Sequence, residues 1–505
     1  MEPTDKLAAA KSYLAARGLT PAVAAARSRH RGITANLQRS FSAARVDRLT
    51  ESWITTQNQI RDELRSDLDA LRSRARDAEL NNDFMRRYLE LCETNIVGDQ
   101  GPQLISTVSD GRTPDQLARD AIEMGFSDWG RAGVCEISGQ LSFVDVCNNI
   151  IRGTARDGEY LIQEVLGTDA GNAYGYALRV IDVARIATWH HREPSAGLNA
   201  IRCGIELSSA GAPVAIWISE SVAHRTAARV PIDTLIHRYR HQFAEQPRGI
   251  PWAHAALLSM HFAGEFALSA LVAAKAGADN LGFFVSPDGA PPAIGAPDDD
   301  SPAATRIATS ASGTWETIPA GYDVKVPESK YPNEVFDPFI KSAHRRMAAG
   351  LNVSYPTLCN DHADLNYNSI RATQQDDRDQ WRKYQGWFRG AWLDRIFGRW
   401  LQMALAAGAL TMPNGSALPV SKLAKFSGHQ WQFRGWESND PLKDIAAFEK
   451  ERSLGVNSST AYARARGRDV ETIATEQHAE EALFQRPIGT ANTPADQTAS
   501  GTSQS

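Results

Sequence analysis

The stretch from Ala253 to Ala278 constrains this chain more than any other. It is dense in Ala, Gly and Ser set among larger apolar residues, and it is apolar nearly all round. A helix of that kind must be buried on more than one side. Small residues let neighbouring helices come close, which suits a helix held between copies of itself. A membrane span is the competing reading, since about 20 mainly apolar residues suffice for one. His254, His261, Glu265 and Lys275 interrupt the stretch, and ionisable groups are costly inside a bilayer. A buried helix in a soluble assembly is therefore the expectation.

With 505 residues, the chain is long enough for roughly two to four domains. Hydrophobic residues at 42% and charged residues at 22% allow a large core. A formal net charge of -5 excludes a protein that is basic as a whole, so any nucleic-acid contact should be local or transient. Cys92, Cys135, Cys147, Cys203 and Cys359 are scattered, with no CxxC spacing. That argues against a zinc site and a disulfide framework, and for a reducing cytoplasm. The first residues are acidic and lack an apolar core, so no secretory signal is expected.

The first fifty residues are basic, with Arg27, Arg29, Arg31, Arg39, Arg45 and Arg48. They read as a solvated, partly disordered leader or as an arm touching DNA or an acidic partner. Helical periodicity then runs from Thr55 to Cys92 through Ile60, Leu64, Leu68 and Leu71, resuming at Leu80, Phe84, Tyr88 and Leu91. A helix from Leu141 to Arg152 opens with Ser142 and Asp145 in a capping arrangement. From Glu159 to Ile236 the signal is β. Candidate strands are Tyr160–Val165, Tyr176–Ile181, Ile201–Leu207 and Val214–Ile218, the last two forming a hairpin.

Beyond the apolar helix lies a Pro-, Gly- and Asp-rich insertion, Ser286–Ser312. Thr314–Ile318 resumes a strand pattern, with Val324–Val326 as its expected partner. A helix should cover Glu334–Leu351, and Asn360–Ser369 reads as a polar loop. The longest helical pattern is Ile370–Ala407, striped by Trp381, Tyr384, Phe388, Trp392, Ile396 and Trp400. It should bend at Gly386, Gly390 or Gly398, and its stripe reads as core rather than a platform for bases. Asp376 and Asp377 read as a solvated exterior. Pro441 should start a helix carrying Leu442, Ile445 and Phe448. Two more should cover Ser458–Ala465 and Asp469–Phe484, before a low-complexity tail from Pro487.

Chemical motifs are missing from the sequence. There is no GxxxxGK[ST] phosphate loop, no HExxH and no GxSxG. His190 and His191 are adjacent, and neighbouring strand residues face opposite sides, so their rings should diverge. No catalytic constellation emerges, and no cofactor or metal is expected.

The order of short runs is what carries a likeness. These are Asn81–Arg87 with Asn95–Gly98, Asp157-Gly158-Glu159, and Arg225–His237 followed by Pro247-Arg-Gly-Ile-Pro-Trp252. Gly321–Lys325 and Asn366–Ala372 continue the series, although Asn368 and Ile370 depart from the usual residues. Together they resemble the lambda-like family of tailed-phage portal proteins from roughly Asp77 to Arg486.

The resemblance implies an α+β, mainly α portal fold with wing, helical stem, clip and crown, assembled as a ring. It implies these divisions: 1–54, basic arm; 55–251, α/β wing; 252–278, first stem helix; 279–332, clip. Then follow 333–359, second stem helix; 360–369, tunnel loop; 370–436, long kinked helix and wing return; 437–486, helical crown; and 487–505, disordered tail. His362, Asn366, Tyr367, Asn368 and Arg371 would face DNA, or Arg371 would pair with a neighbouring subunit. Ala256, Gly264, Ala267 and Ala270 would form the ring interface of the stem. Implied partners are the chain itself as a dodecamer and double-stranded DNA in transit, without sequence specificity. The terminase large subunit, capsid and scaffold proteins and a head–tail connector complete the set, with no membrane. The expected location is the capsid portal vertex, with assembly in the host cytoplasm. An ATP-driven DNA translocase is a further alternative, disfavoured by the missing phosphate loop.

Overall fold

A computed structural model describes residues 12–13, 58–111, 113–221, 225–279, 283–285, 296–297, 306–307, 323–325, 336–363, 365–437 and 440–484. The basic arm, most of the proposed clip, the Thr314–Ile318 strand and the C-terminal tail lie outside these residues. The unit described below runs from Ile60.

Helix α1 (Ile60–Asn81) buries Leu64, Leu68, Arg72 and Ala75. Asn82 then caps α2 (Asp83–Cys92) by accepting from the Met85 amide at 3.1 Å. The break changes the phase of the stripe, and Leu80, expected on it, is 82% exposed. A π turn at Glu93–Val97 leads to strand β1 (Gln103–Ser106). Helix α3 (Gln116–Trp129) follows, then α4 (Phe143–Asp157), which opens with the expected box between Ser142 and Asp145.

The β region holds two sheets. The first is three-stranded: β2 (Glu159–Leu166) lies between β3 (Tyr176–Ile181) and β8 (Leu235–Tyr239), all antiparallel. The second runs in chain order through β4 (Ala200–Arg202), β5 (Ile205–Leu207), β6 (Pro213–Ser219) and β7 (Ala227–Pro231). The expected single strand Ile201–Leu207 is thus two strands. Cys203 at φ 48° and Gly204 at φ 83° turn the chain back on itself. Both residues are left-handed, as a tight two-residue hairpin turn demands. The hairpin between β5 and β6 forms as expected.

Helix α5 (His254–Asp279) comes next. Strand β9 (Phe283–Val285) pairs with β10 (Asp323–Lys325); the Thr314–Ile318 segment expected beside the latter lies outside the described residues. Helix α6 (Phe336–Leu351) and the short α7 (Tyr355–Cys359) lead to α8 (Tyr367–Phe388). A π turn (Arg389–Leu393) joins α8 to α9 (Asp394–Ala406). Strand β11 (His429–Gln432) pairs with β1. Helices α10 (Pro441–Ser453), α11 (Ser459–Ala465) and α12 (Val470–Phe484) follow.

The main core gathers around the aromatic stripe. Trp381, Tyr384, Phe388, Trp392, Ile396 and Trp400 are all buried. Phe126 of α3 makes edge-on contacts with Phe143, Phe397, Trp400 and Trp431. Trp129 donates to the Tyr176 carbonyl at 2.8 Å, satisfying its one polar atom.

Candidate functional site

The apolar helix α5 divides into two halves. Its root is packed inside the chain: Trp252, Ala253, Ala256, Leu257 and Met260 are buried. Ala256 faces Gly350 of α6, where an added Cβ would sit 3.2 Å from the Ala256 Cβ. Ala256, expected at the ring interface, is therefore filled from within. The outer half is different. Phe262 is 58% exposed, Leu268 62%, Leu271 67% and Val272 59%. Gly264 and Ala267 are exposed and Ala270 is half-buried. Beside the outer half runs α6, antiparallel to α5, with Phe266 against Phe336 and Phe339 at 5.9 and 5.3 Å. The described residues alone do not meet the expectation of burial on several sides.

The expected tunnel segment begins at Asn360, which holds a left-handed φ of 56°. Asp361 accepts from the Tyr355 hydroxyl at 2.6 Å, and this bond holds its carboxyl below the usual range. His362, Asn366, Tyr367 and Asn368 are all exposed. Only the first two belong to the loop. Asn366 caps α8 by accepting from the Ser369 amide at 2.9 Å, and Tyr367 and Asn368 lie in the helix's first turn. Arg371 lies one turn further, 53% exposed, 3.7 Å from Asp444 of the same chain. That in-chain carboxylate occupies the position expected for a neighbouring subunit. Asp377 is not merely solvated. It accepts from the Ser354 amide and hydroxyl at 3.0 and 2.6 Å and from Thr357 at 2.6 Å.

A third feature sits at the root of α5, where two of the quoted runs meet. Glu159 is fully buried. Arg248 donates to it through Nε at 2.8 and 3.0 Å and through Nη2 at 2.5 Å. Arg72 of α1 adds a bond at 2.8 Å, and His237 of β8 lies 2.9 Å away. The Gly249 amide donates to the same carboxylate at 2.8 Å. Burial opposes ionisation, but Arg248, His237 and Arg72 outweigh it and hold the Glu159 carboxyl well below the usual range. Burial pushes the His237 imidazole down, with Glu159 pulling the other way. The backbones interlock as well. A Cβ on Gly249 would lie 2.2 Å from the Gly158 carbonyl oxygen, and one on Gly158, at φ 90°, 2.4 Å from the Ile250 carbonyl carbon. The Trp252 amide bonds to Ala155 at 3.0 Å.

Among the described residues no cluster of His, Cys, Asp and Glu could hold a metal. His190 stacks on Trp217 at 4.6 Å, while His191 bonds to Glu193 and Arg202. The two rings take different partners, and both residues sit in a loop and not in a strand.

The family model for phage portal proteins of the lambda family matches residues 46–385. The chain belongs to that family. Its role is accordingly that of a phage portal protein, a component of the virion. A protein of Halomonas phage phiHAP-1 named "Probable portal protein" is 29% identical over 458 residues, covering 86% of this chain and 85% of the relative. Among solved structures, the chain is similar to one titled "Neck of empty GTA particle computed with C6 symmetry". That match has a TM-score of 0.42 at 15% identity and covers 80% of this chain and 94% of the other. A second, "Neck of native GTA particle computed with C12 symmetry", has a TM-score of 0.39 at 14% identity, with 79% and 92% covered.

Proposed function

We propose that copies of this chain close into a ring at one capsid vertex, a dodecamer whose central channel passes double-stranded DNA during packaging and ejection. The observation that carries this reading is the exposed outer half of α5. Contiguous apolar surface of this kind marks an interaction site. Head-to-tail contact between identical copies closes when each step is the right fraction of a turn. In this reading α5 and α6 are the stem. Residues 55–251 form the wing, 279–332 the clip and 437–486, with α10 to α12, the crown. The terminase large subunit, capsid and scaffold proteins and a head–tail connector dock on the ring, which assembles in the host cytoplasm.

By length and composition alone, His254–Lys275 could also cross a membrane. Two observations favour a ring. The root of α5 is built into the protein core. Its antiparallel neighbour α6 carries exposed Asp337, Arg345 and Arg346, which hydrocarbon would reject.

His362, Asn366, Tyr367 and Asn368 make brief, sequence-independent contacts with the DNA backbone in this reading. Arg371 joins them by giving up its exposed pair with Asp444, which costs little. A net acidic chain fits a conduit that must not grip, because each neutralised phosphate adds affinity. The test is negative-stain microscopy of the purified protein. Rings with a central hole are expected. Gly264→Trp or Ala267→Trp should abolish them while circular dichroism stays unchanged. A monomer under every assembly condition overturns the reading.

A further inference from the structure

Glu159 has no role in either proposed contact surface, yet it is the most heavily bonded buried carboxylate among the described residues. Its four partners come from three places in the chain: Arg72 on α1, His237 on β8, and Arg248 with the Gly249 amide just before α5. Arg248 also reaches the Cys203 carbonyl at 2.7 Å and Thr188 at 3.3 Å. Its own carbonyl accepts from Gln246 at 2.6 Å, and Tyr239 donates to the Gln246 carbonyl at 2.6 Å. Only five residues separate Arg248 from the first turn of the helix, and Trp252 among them is tied to the end of α4.

Apolar contacts slide, whereas a forked guanidinium on a carboxylate has one geometry. A well-packed apolar replacement of a buried ion group can equal it in stability, so stability alone does not account for such a group, and fixing an arrangement is the alternative role. Around Glu159 the arrangement being fixed is the exit of α5. Beyond Met260 the helix is exposed over most of its surface and has α6 as its flank, so its direction depends on how the root is held.

We infer that Glu159 is a positioning residue: with Arg248, Arg72, His237 and the Gly249 amide it locks the root of α5 to the β2–β8 sheet and fixes the direction in which the helix leaves the body. The lock acts within one chain, so it operates in a lone subunit and in a ring alike. A failure of the ring reading leaves it standing.

Hydrogen exchange on the unaltered full-length protein tests it first. The amides of Gly249, Trp252 and Leu257 should open together with those of Glu159–Gln163, at one common rate. Root amides exchanging more than about tenfold faster than the β2 amides would show an independent, unlocked root and overturn the inference. The second test reads direction rather than stability. Spin labels go on cysteines replacing exposed Asp169 and Lys275, in a Cys359→Ser background, diluted with unlabelled protein. In the triple variant Arg72→Met, Glu159→Met, Arg248→Met the distance distribution should broaden about twofold relative to the parent, with a cooperative melt retained. A folded triple variant with the parent's narrow distribution would mean that apolar packing alone aims the helix, and the inference fails.

Discussion

The two halves of α5 obey opposite rules. At the root, every charged group near Glu159 finds its partner inside the chain, and the surrounding apolar residues are covered. A few turns on, Phe262, Leu268, Leu271 and Val272 face outward with nothing among the described residues to cover them. A buried charge left without its partner bears its full desolvation cost. Apolar surface can wait for a partner. The contrast separates what one copy must settle for itself from what it leaves to association.

The largest way to break the contrast is Glu159→Gln, which leaves Arg72 and Arg248 buried without their counter-charge. Loss of roughly 3–5 kcal/mol in denaturant unfolding is expected. Gly249→Ala should follow at about 1–3 kcal/mol, since its Cβ would strike the Gly158 carbonyl. Removing the α8 cap with Asn366→Ala should cost about 1 kcal/mol. At the other extreme, Leu271→Ser should change the stability of a lone chain by less than about 0.5 kcal/mol. It should nevertheless lower the yield of oligomer in native mass spectrometry. A large loss of chain stability there would erase the distinction between the two halves.

Acid sharpens the same comparison. His237 is harder to protonate when folded than its ordinary value of 6.5 implies. Protons therefore favour the unfolded chain once the pH falls below that value. Glu159 is easier to ionise when folded, so its contribution is complete above the ordinary 4.5 and is lost as the pH drops through and below it. Both signs agree. The melting temperature should decline below pH 6.5 and more steeply below 4.5.

Local signals in the sequence served well. The Ser142–Asp145 box, the start at Pro441 and the buried stripe on the long helix all follow from spacing within a few residues. The Glu159 lock was illegible for the opposite reason. Arg72 and Arg248 stand 87 and 89 residues away in sequence, and charged residues read as solvated until a fold joins them. Its two motifs, Asp157–Glu159 and Arg248–Trp252, were visible separately as part of a family likeness, without any hint that they touch. Asp377 was misjudged on the same ground, its partners Ser354 and Thr357 lying across a loop. The hairpin at Cys203 escaped because a cysteine with left-handed φ gives no compositional sign. Of the expected interface residues, Ala256 proved to serve its own chain, because spacing cannot tell a helix's inner face from its outer one.

The π turn at Arg389–Leu393 carries a consequence of its own. Tyr384, Phe388, Trp392, Ile396 and Trp400 recur strictly every fourth residue. On a regular helix such a series winds sideways by about 40° per step. One wider turn takes up the accumulated drift, so side chains on both flanks reach the same interior. Removing a single residue from the turn should restore a regular helix and keep Trp400 beside Phe126, whereas removing one from the regular α9 (Asp394–Ala406) should swing everything after it by about 100°.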